Sequence, residues 1–322
     1  MSESWAYLDH AAVAPLPRRS GAAMRAWLED QERNGCVNWP QWERKLDAFR
    51  ESLATLIHAR AEEIAFVSST THGIGAIAEG FPWKPGDNVV TAAEEYPSNL
   101  YPWQHLADRG VELRTVPSRD GRVWVDDLAR SMDDRTRLLT ISHVEWSSGF
   151  RNDLDQLGEL CQSRGAAFFV DAIQGLGPLT IDVSKTPIDF LAADGHKWLL
   201  GPEGAGFLYV RSSWIDRLRP ILVGWHSVVG SYNDPKNEFR FKPSAQRWEG
   251  GSFNMPGLQT FAASVSLFLE IGPERVSERI LDRAEGVRER ARKAGWSIVG
   301  SSRADDLSGI VAKTREDVDP AT

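Results

Sequence analysis

The run FLAAD (190–194) is apolar until its last residue, and there the chain turns through Asp194-Gly195-His196-Lys197. A lysine partly shielded from water has its pKa lowered and becomes a nucleophile that forms Schiff bases with carbonyls. Two other apolar runs also end in polar groups. AAFFVDA (166–172) carries Asp171 near its close, with Gln174 three residues on. An unpaired carboxylate is costly to bury, so Asp171 needs a partner or a cleft. EIAFVSS (63–69) leads into Ser68-Ser69-Thr70-Thr71-His72-Gly73, a set of hydroxyls and free N–H groups opening a helix, where a phosphate sits well. Each signal has an ordinary reading by itself: a solvated lysine, a turn aspartate, a helix cap. Together they supply an amine for an imine, a carboxylate for a protonated ring nitrogen and a phosphate cup, which are the requirements of pyridoxal 5′-phosphate.

Such residues need a scaffold that gathers strand ends. Seven β-rich runs recur at 63–69, 88–93, 111–116, 138–144, 166–172, 189–195 and 206–211, most of them apolar without alternation. That pattern suits strands buried on both faces. Between them, THGIGAIAEGF, YPWQHLADRG and DLDQLGELCQSRG have helical spacing. The alternation predicts an α/β fold, a seven-stranded mostly parallel sheet sandwiched by helices, with ligands at the C-terminal ends of the strands. From 195 to 206 there is no room for a crossover helix, so the last strand is expected to return antiparallel through GPEGAG.

After residue 255 the texture changes. PGLQTFAASVSLFLEIG, opening on Pro256 and stopping at Gly272, and the charged PERVSERILDRAEGVRERARKAG read as two helices. WSIVG and SGIVAKT read as two strands. Two strands and two helices make a thin domain. The expected division is an N-terminal arm (1–20) serving the small domain and the active site, a large cofactor-binding domain (21–255), and a small, incomplete C-terminal α/β domain (256–322).

Bulk properties narrow the partners. The 322 residues are 42% hydrophobic and 25% charged with a net charge of −8, and no dense basic block stands out, which argues against nucleic acid and membrane surfaces. Cys36 and Cys161 are isolated, so neither a disulfide framework nor a cysteine-rich metal site is indicated. No signal pattern opens the chain and no run reaches membrane-span length, so the expectation is a cytoplasmic protein with a small-molecule partner and no metal.

YLDHAAVAPLP, VDAIQGLGPLTIDV and DGHKWLLGPEGAGFLYVR carry a specific resemblance. The chain resembles the class V aminotransferases of the fold-type I pyridoxal-phosphate enzymes, a group that includes cysteine desulfurases, selenocysteine lyases, kynureninases and isopenicillin N epimerase-like proteins. The resemblance implies that Lys197 binds the cofactor aldehyde and that Asp171 partners the pyridinium, with Gln174 near the phenolic oxygen. It places Thr71, His72 and His196 on the phosphate side and Tyr96 where desulfurases stack a histidine on the ring. Asp194 falls among the cofactor-binding positions but replaces a hydroxyl residue, and Trp146 replaces an asparagine near the cofactor oxygen. Gly251 and Ser252 match a segment that reaches the neighbouring subunit's phosphate, which implies a homodimer with shared sites.

In relatives the arginine that grips the substrate carboxylate and the persulfide-forming cysteine lie beyond the SGIVAKT strand, and neither is assignable in this sequence. The resemblance therefore implies an enzyme acting on an amino acid through Lys197, with Asp171 and Tyr96 as its other catalytic residues, by transamination, epimerisation or elimination at Cα or Cβ. A cysteine desulfurase or selenocysteine lyase type of C–S lyase is one alternative. A cofactor-binding but catalytically silent or truncated family member is another.

Overall fold

The computed structural model describes residues 6–230 and 238–318. Two helices open the chain, α1 (Arg18–Asn34) and α2 (Trp39–Ile57). Then come β1 (Ile64–Val67), α3 (Thr70–Gly80), β2 (Asn88–Ala92), α4 (Tyr101–His105), β3 (Glu112–Val116), α5 (Val125–Ser131) and β4 (Thr136–Ser142). After them follow α6 (Leu154–Arg164), β5 (Ala167–Asp171), β6 (Phe190–Asp194), β7 (Gly206–Val210) and α7 (Ser212–Ile215). The chain closes with α8 (Met255–Ile271), α9 (Pro273–Lys293), β8 (Ser297–Ile298) and β9 (Lys313–Thr314).

The first seven strands form one sheet in the order β1-β7-β6-β5-β4-β2-β3. All neighbours are parallel except β7, which runs antiparallel to both β1 and β6. The seven predicted runs are these seven strands, and the antiparallel return falls where the short gap requires it. Strands β5, β6 and β7 are buried along their whole length, whereas β3 at the sheet edge is largely open to solvent.

Alternation still operates within the fully buried strands, because it divides two cores rather than core from water. Phe168 and Leu191 join one apolar cluster with Phe49, Phe207 and Phe261, while Phe169, Phe190 and Leu208 join the other with Ile77 and Trp103. Helix α3 seats closely on the sheet at Gly73, where an added Cβ would lie 2.9 Å from the Ala192 Cβ. That close seating is what brings the N-terminus of α3 beside the end of β6.

Several features differ from the sequence expectation. Helices α1 and α2 lie in a stretch for which the sequence suggested no element; α1 fully buries only Ser20. Helix α8 starts at Met255, one residue before Pro256, because Asn254 caps it by accepting the Gly257 N–H at 3.1 Å. It packs on α1 through a Ser20–Ser264 hydroxyl contact of 2.7 Å and an Arg19–Glu270 ion pair. Phe261 of α8 meets Phe49 of α2 at 5.1 Å between ring centroids, so α8 adds to the main core. Strands β8 and β9 shrink to two residues each. Among the described residues no helix is long and apolar enough to cross a membrane.

Candidate active site

A cavity of about 600 Å³ opens at the C-terminal ends of the strands, within the size range of small-molecule sites. Five strand ends feed it, and Trp146 is the contribution of the segment after β4. Thr70 and Thr71 follow β1, Tyr96 and Ser98 follow β2, Asp171 and Gln174 close β5, and Asp194, His196 and Lys197 follow β6. The N-terminal arm crosses the same space: Asp9 and Ala11 to Val13 line it, and the Ala14 N–H donates to the His196 carbonyl at 2.7 Å. A second cavity of about 680 Å³, between Arg151, Asp182 and Arg303, contains none of the predicted site residues.

Lys197 is mostly buried, and burial pushes its ammonium below the usual lysine range, while Asp171, Asp194 and Asp9 pull the other way. A larger neutral fraction is what a nucleophilic amine needs. Its Nζ lies 5.4 Å from the centroid of the Tyr96 ring. Tyr96 is half-exposed and meets the Trp146 ring edge-on at 5.7 Å, with the Trp146 indole N–H anchored on the Glu94 carbonyl at 3.0 Å. The two departures from the desulfurase pattern, Tyr96 and Trp146, thus form one aromatic wall.

Asp171 is buried at the end of β5, and burial raises its carboxyl to about 6, opposed by a hydrogen bond from the Ile173 N–H and by the charge of Lys197. Gln174 is held at both ends of its amide: Nε2 donates to the Ala11 carbonyl at 3.0 Å and Oε1 accepts from the Trp198 indole at 2.8 Å. It therefore ties the arm to the Lys197 turn as well as lining the cavity. Thr71 donates to Ser98 at 2.8 Å.

Not every predicted residue reaches the cavity. The His72 side chain turns to Ser68, its Nδ1 3.2 Å from the Ser68 hydroxyl, and its backbone N–H is taken by the Ser69 cap. Ser252 is exposed and Gly251 partly so, and neither lines the cavity of its own chain.

The fit to the expected cofactor rests on unspent polar atoms. Thr70 Oγ1, Asp194 Oδ1 and His196 Nδ1 are buried without hydrogen-bond partners, and all three residues line the cavity beside the N-terminus of α3. Buried polar atoms are seldom left unsatisfied unless a ligand or water completes them. Thr70 Oγ1 and His196 Nδ1 are able to donate, and donors gathered at a helix N-terminus suit a phosphate, whereas Asp194 Oδ1 only accepts. The residues present therefore fit a phosphorylated pyridine aldehyde.

Beneath this site lies a group of which the sequence reading found only Asp171. Glu95, Glu145 and Asp171 are three buried carboxyls. Glu95 accepts from the Ser142 N–H and hydroxyl, both at 2.5 Å, and Glu145 accepts from Asn152 at 2.7 Å. His143 is buried with them, its ring against Gly175, where an added Cβ would come within 2.2 Å of Nδ1. The available signal was an acid beside an apolar strand: Glu95 after NVVTAA and Glu145 after LLTISHV.

Burial raises Glu95 from the usual 4.5 to about 7, countered by its Ser142 hydrogen bonds. The fold thus holds this proton more tightly than the unfolded chain does, so the stabilisation is complete below 4.5 and is lost as pH rises through 7. We expect Glu95→Gln to flatten the fall in melting temperature between pH 4.5 and 7.5, measured on cofactor-free protein. His143, held down at about 3 by burial, acts oppositely but is common to both proteins and cancels in the difference. An unchanged pH profile would show that Glu95 is ionised throughout.

Known proteins place this geometry. The model of the family described as "Aminotransferase class-V" matches residues 6–322. A probable cysteine desulfurase of Methanothermobacter thermautotrophicus is 32% identical over 285 residues, covering 87% of this chain and 70% of that protein. The apo structure of a cysteine desulfurase from Thermococcus onnurineus NA1 superposes with a TM-score of 0.87 at 25% identity, covering 98% of this chain and 80% of the other. C-DES shares the fold. A variant of it with glycine covalently linked to the pyridoxal-phosphate cofactor gives a TM-score of 0.91 at 22% identity, covering 98% and 84%. The complex of this cystine C–S lyase with its product cysteine persulfide gives 0.89 at 23%, covering 94% and 83%.

Proposed function

Since the chain belongs to the class V aminotransferase family, we propose that it is a pyridoxal-phosphate enzyme that breaks the carbon–sulfur bond of a cysteine-class amino acid. The observation that carries the cofactor chemistry is the convergence of Lys197, Asp171 and the N-terminus of α3 on one cavity. What favours sulfur chemistry over transamination or epimerisation is the 32% identity to a protein named as a probable cysteine desulfurase.

When bound, pyridoxal 5′-phosphate supplies an electron-accepting ring that acidifies the substrate's α-proton. This chain's residues do the rest. Lys197 would hold the cofactor aldehyde, and its Nζ is the group placed to move the substrate's α-proton as general base and acid. Asp171 would hold the ring nitrogen in its protonated form. Tyr96 offers an aromatic platform beside Nζ. Thr70, Thr71 and His196 would receive the phosphate, and Gln174, fixed by Ala11 and Trp198, holds the arm at the site.

No cysteine lines the cavity: Cys161 is buried in α6, with a thiol raised far above its usual range by burial, and Cys36 is exposed between α1 and α2. The exposure of Ser252, together with its absence from the cavity of its own chain, supports the further proposal that it serves the site of a second copy in a homodimer.

Incubation of the loaded protein with L-cysteine or L-cystine, followed by assay of sulfide, persulfide, pyruvate and alanine, tests the reading. Sulfur released with either carbon product supports it, pyruvate marking elimination and alanine marking sulfur transfer. Conversion to keto acid with the carbon–sulfur bond intact would favour transamination and overturn it.

A further inference from the structure

Asp194 and His196 meet in the cavity without bonding. Asp194 Oδ1 and His196 Nδ1 are 3.2 Å apart, within ion-pair reach, yet out of hydrogen-bond alignment, and neither atom has another hydrogen-bond partner. Asp194 is only 5% exposed. Beside them stand Thr70 Oγ1, likewise unpartnered, and the N-terminus of α3. That corner of the cavity is built for an anion, and a buried carboxylate already occupies part of it. A carboxylate repels a phosphate dianion, and both need donors. A cation between the two answers both, and the imidazole of His196 is the group placed to become one.

Resting on the reading that this cavity takes a phosphorylated pyridoxal cofactor, we propose that Asp194 makes cofactor loading proton-linked: His196 takes up a proton as the phosphate enters, and Asp194 is the positioning residue that requires it. The other groups facing the pair do not replace that proton. Lys197 on the same turn would be committed to the aldehyde, Asp171 at the end of β5 and Asp9 on the arm are acids, and Tyr96 after β2 offers a phenol rather than a cation. His72 of α3 turns to Ser68, and His10 stacks on Trp198 at 5.8 Å. With serine at 194, the usual hydroxyl, a neutral imidazole would suffice.

The probe is pyridoxine 5′-phosphate, which lacks the aldehyde and so leaves the Lys197 bond out of the measurement. Its binding to the full chain stripped of cofactor is followed by tryptophan fluorescence between pH 6.5 and 8.5. For the wild type we expect Kd to rise about tenfold from pH 7.5 to 8.5, the slope of one linked proton. Asp194→Ser should bind about a hundredfold tighter than wild type at pH 8.5 and within about twofold of it at pH 6.5. The isosteric Asp194→Asn should behave like the serine variant, which separates the charge effect from any packing defect. Equal pH slopes in wild type and both variants would overturn the inference while leaving the cofactor reading intact. Failure of the wild type to bind the probe at every pH would sink the cofactor reading, and this inference with it.

Discussion

Under the proposed function, Lys197→Ala is expected to abolish turnover, lowering kcat for sulfur release by about 10⁴-fold or more, since one amine would both hold the cofactor and move the α-proton. The loss follows from position. The turn that follows β6 delivers Nζ into a cavity shared with Asp171, and burial keeps the amine more neutral than a surface lysine. The residues proposed to take the phosphate do not include Lys197, so the variant should still take up the cofactor while failing to turn over. Added small primary amines should restore part of the proton transfer in the variant. Turnover within tenfold of wild type would show that another base does the work.

The second large effect is on stability. Arg50 of α2 and Glu249 form a buried pair at 2.5 Å, their side chains 5% and 1% exposed. Arg50 also donates to the Ile64 carbonyl at 2.8 Å and lies 4.3 Å over the Phe66 ring, and Glu249 accepts the Phe66 N–H at 3.0 Å. The pair therefore clamps β1, the strand that leads directly into Ser68–Thr71. Removing one partner leaves a buried charge uncompensated, which costs about 3–5 kcal/mol. Arg50→Ala should lose that much in urea denaturation and weaken cofactor binding through the loosened cup. Arg50→Met combined with Glu249→Gln removes both charges, keeps an acceptor for Phe66, and should recover most of the loss. A double variant as unstable as Arg50→Ala would assign the cost to lost packing instead.

What the sequence revealed follows from how each feature is encoded. The seven strands were legible because continuous apolar runs of their length, cut by short loops, have few other readings. The antiparallel β7 followed from chain length alone. Lys197, Asp171 and Gln174 were legible because each interrupts an apolar run at its C-terminal end, where α/β sheets bind ligands. Glu95 and Glu145 escaped because they belong to tertiary burial: nothing local shows that EEYPSN and HVEWSSG fold back beneath Asp171. The arm was expected at the active site, but its contacts at Ala11 and Ala14 escaped for a similar reason, since they are made by backbone groups whose side chains carry no signal. His72 reads as a cup residue by its position at a helix start, but its side chain is drawn to Ser68, a contact that helical spacing alone does not distinguish from a ligand-facing one. Asp194 was legible as an oddity. Its meaning needed the unpartnered Oδ1 and the neighbouring His196.

The central claim is that Lys197 is the amine that holds the cofactor aldehyde. Protein loaded with pyridoxal 5′-phosphate, reduced with sodium borohydride, digested and mapped by mass spectrometry tests it most directly. The account predicts a single phosphopyridoxyl label on the peptide that carries Lys197, absent from Lys197→Ala. A label on a different lysine, or none on a protein that binds the cofactor, would contradict it.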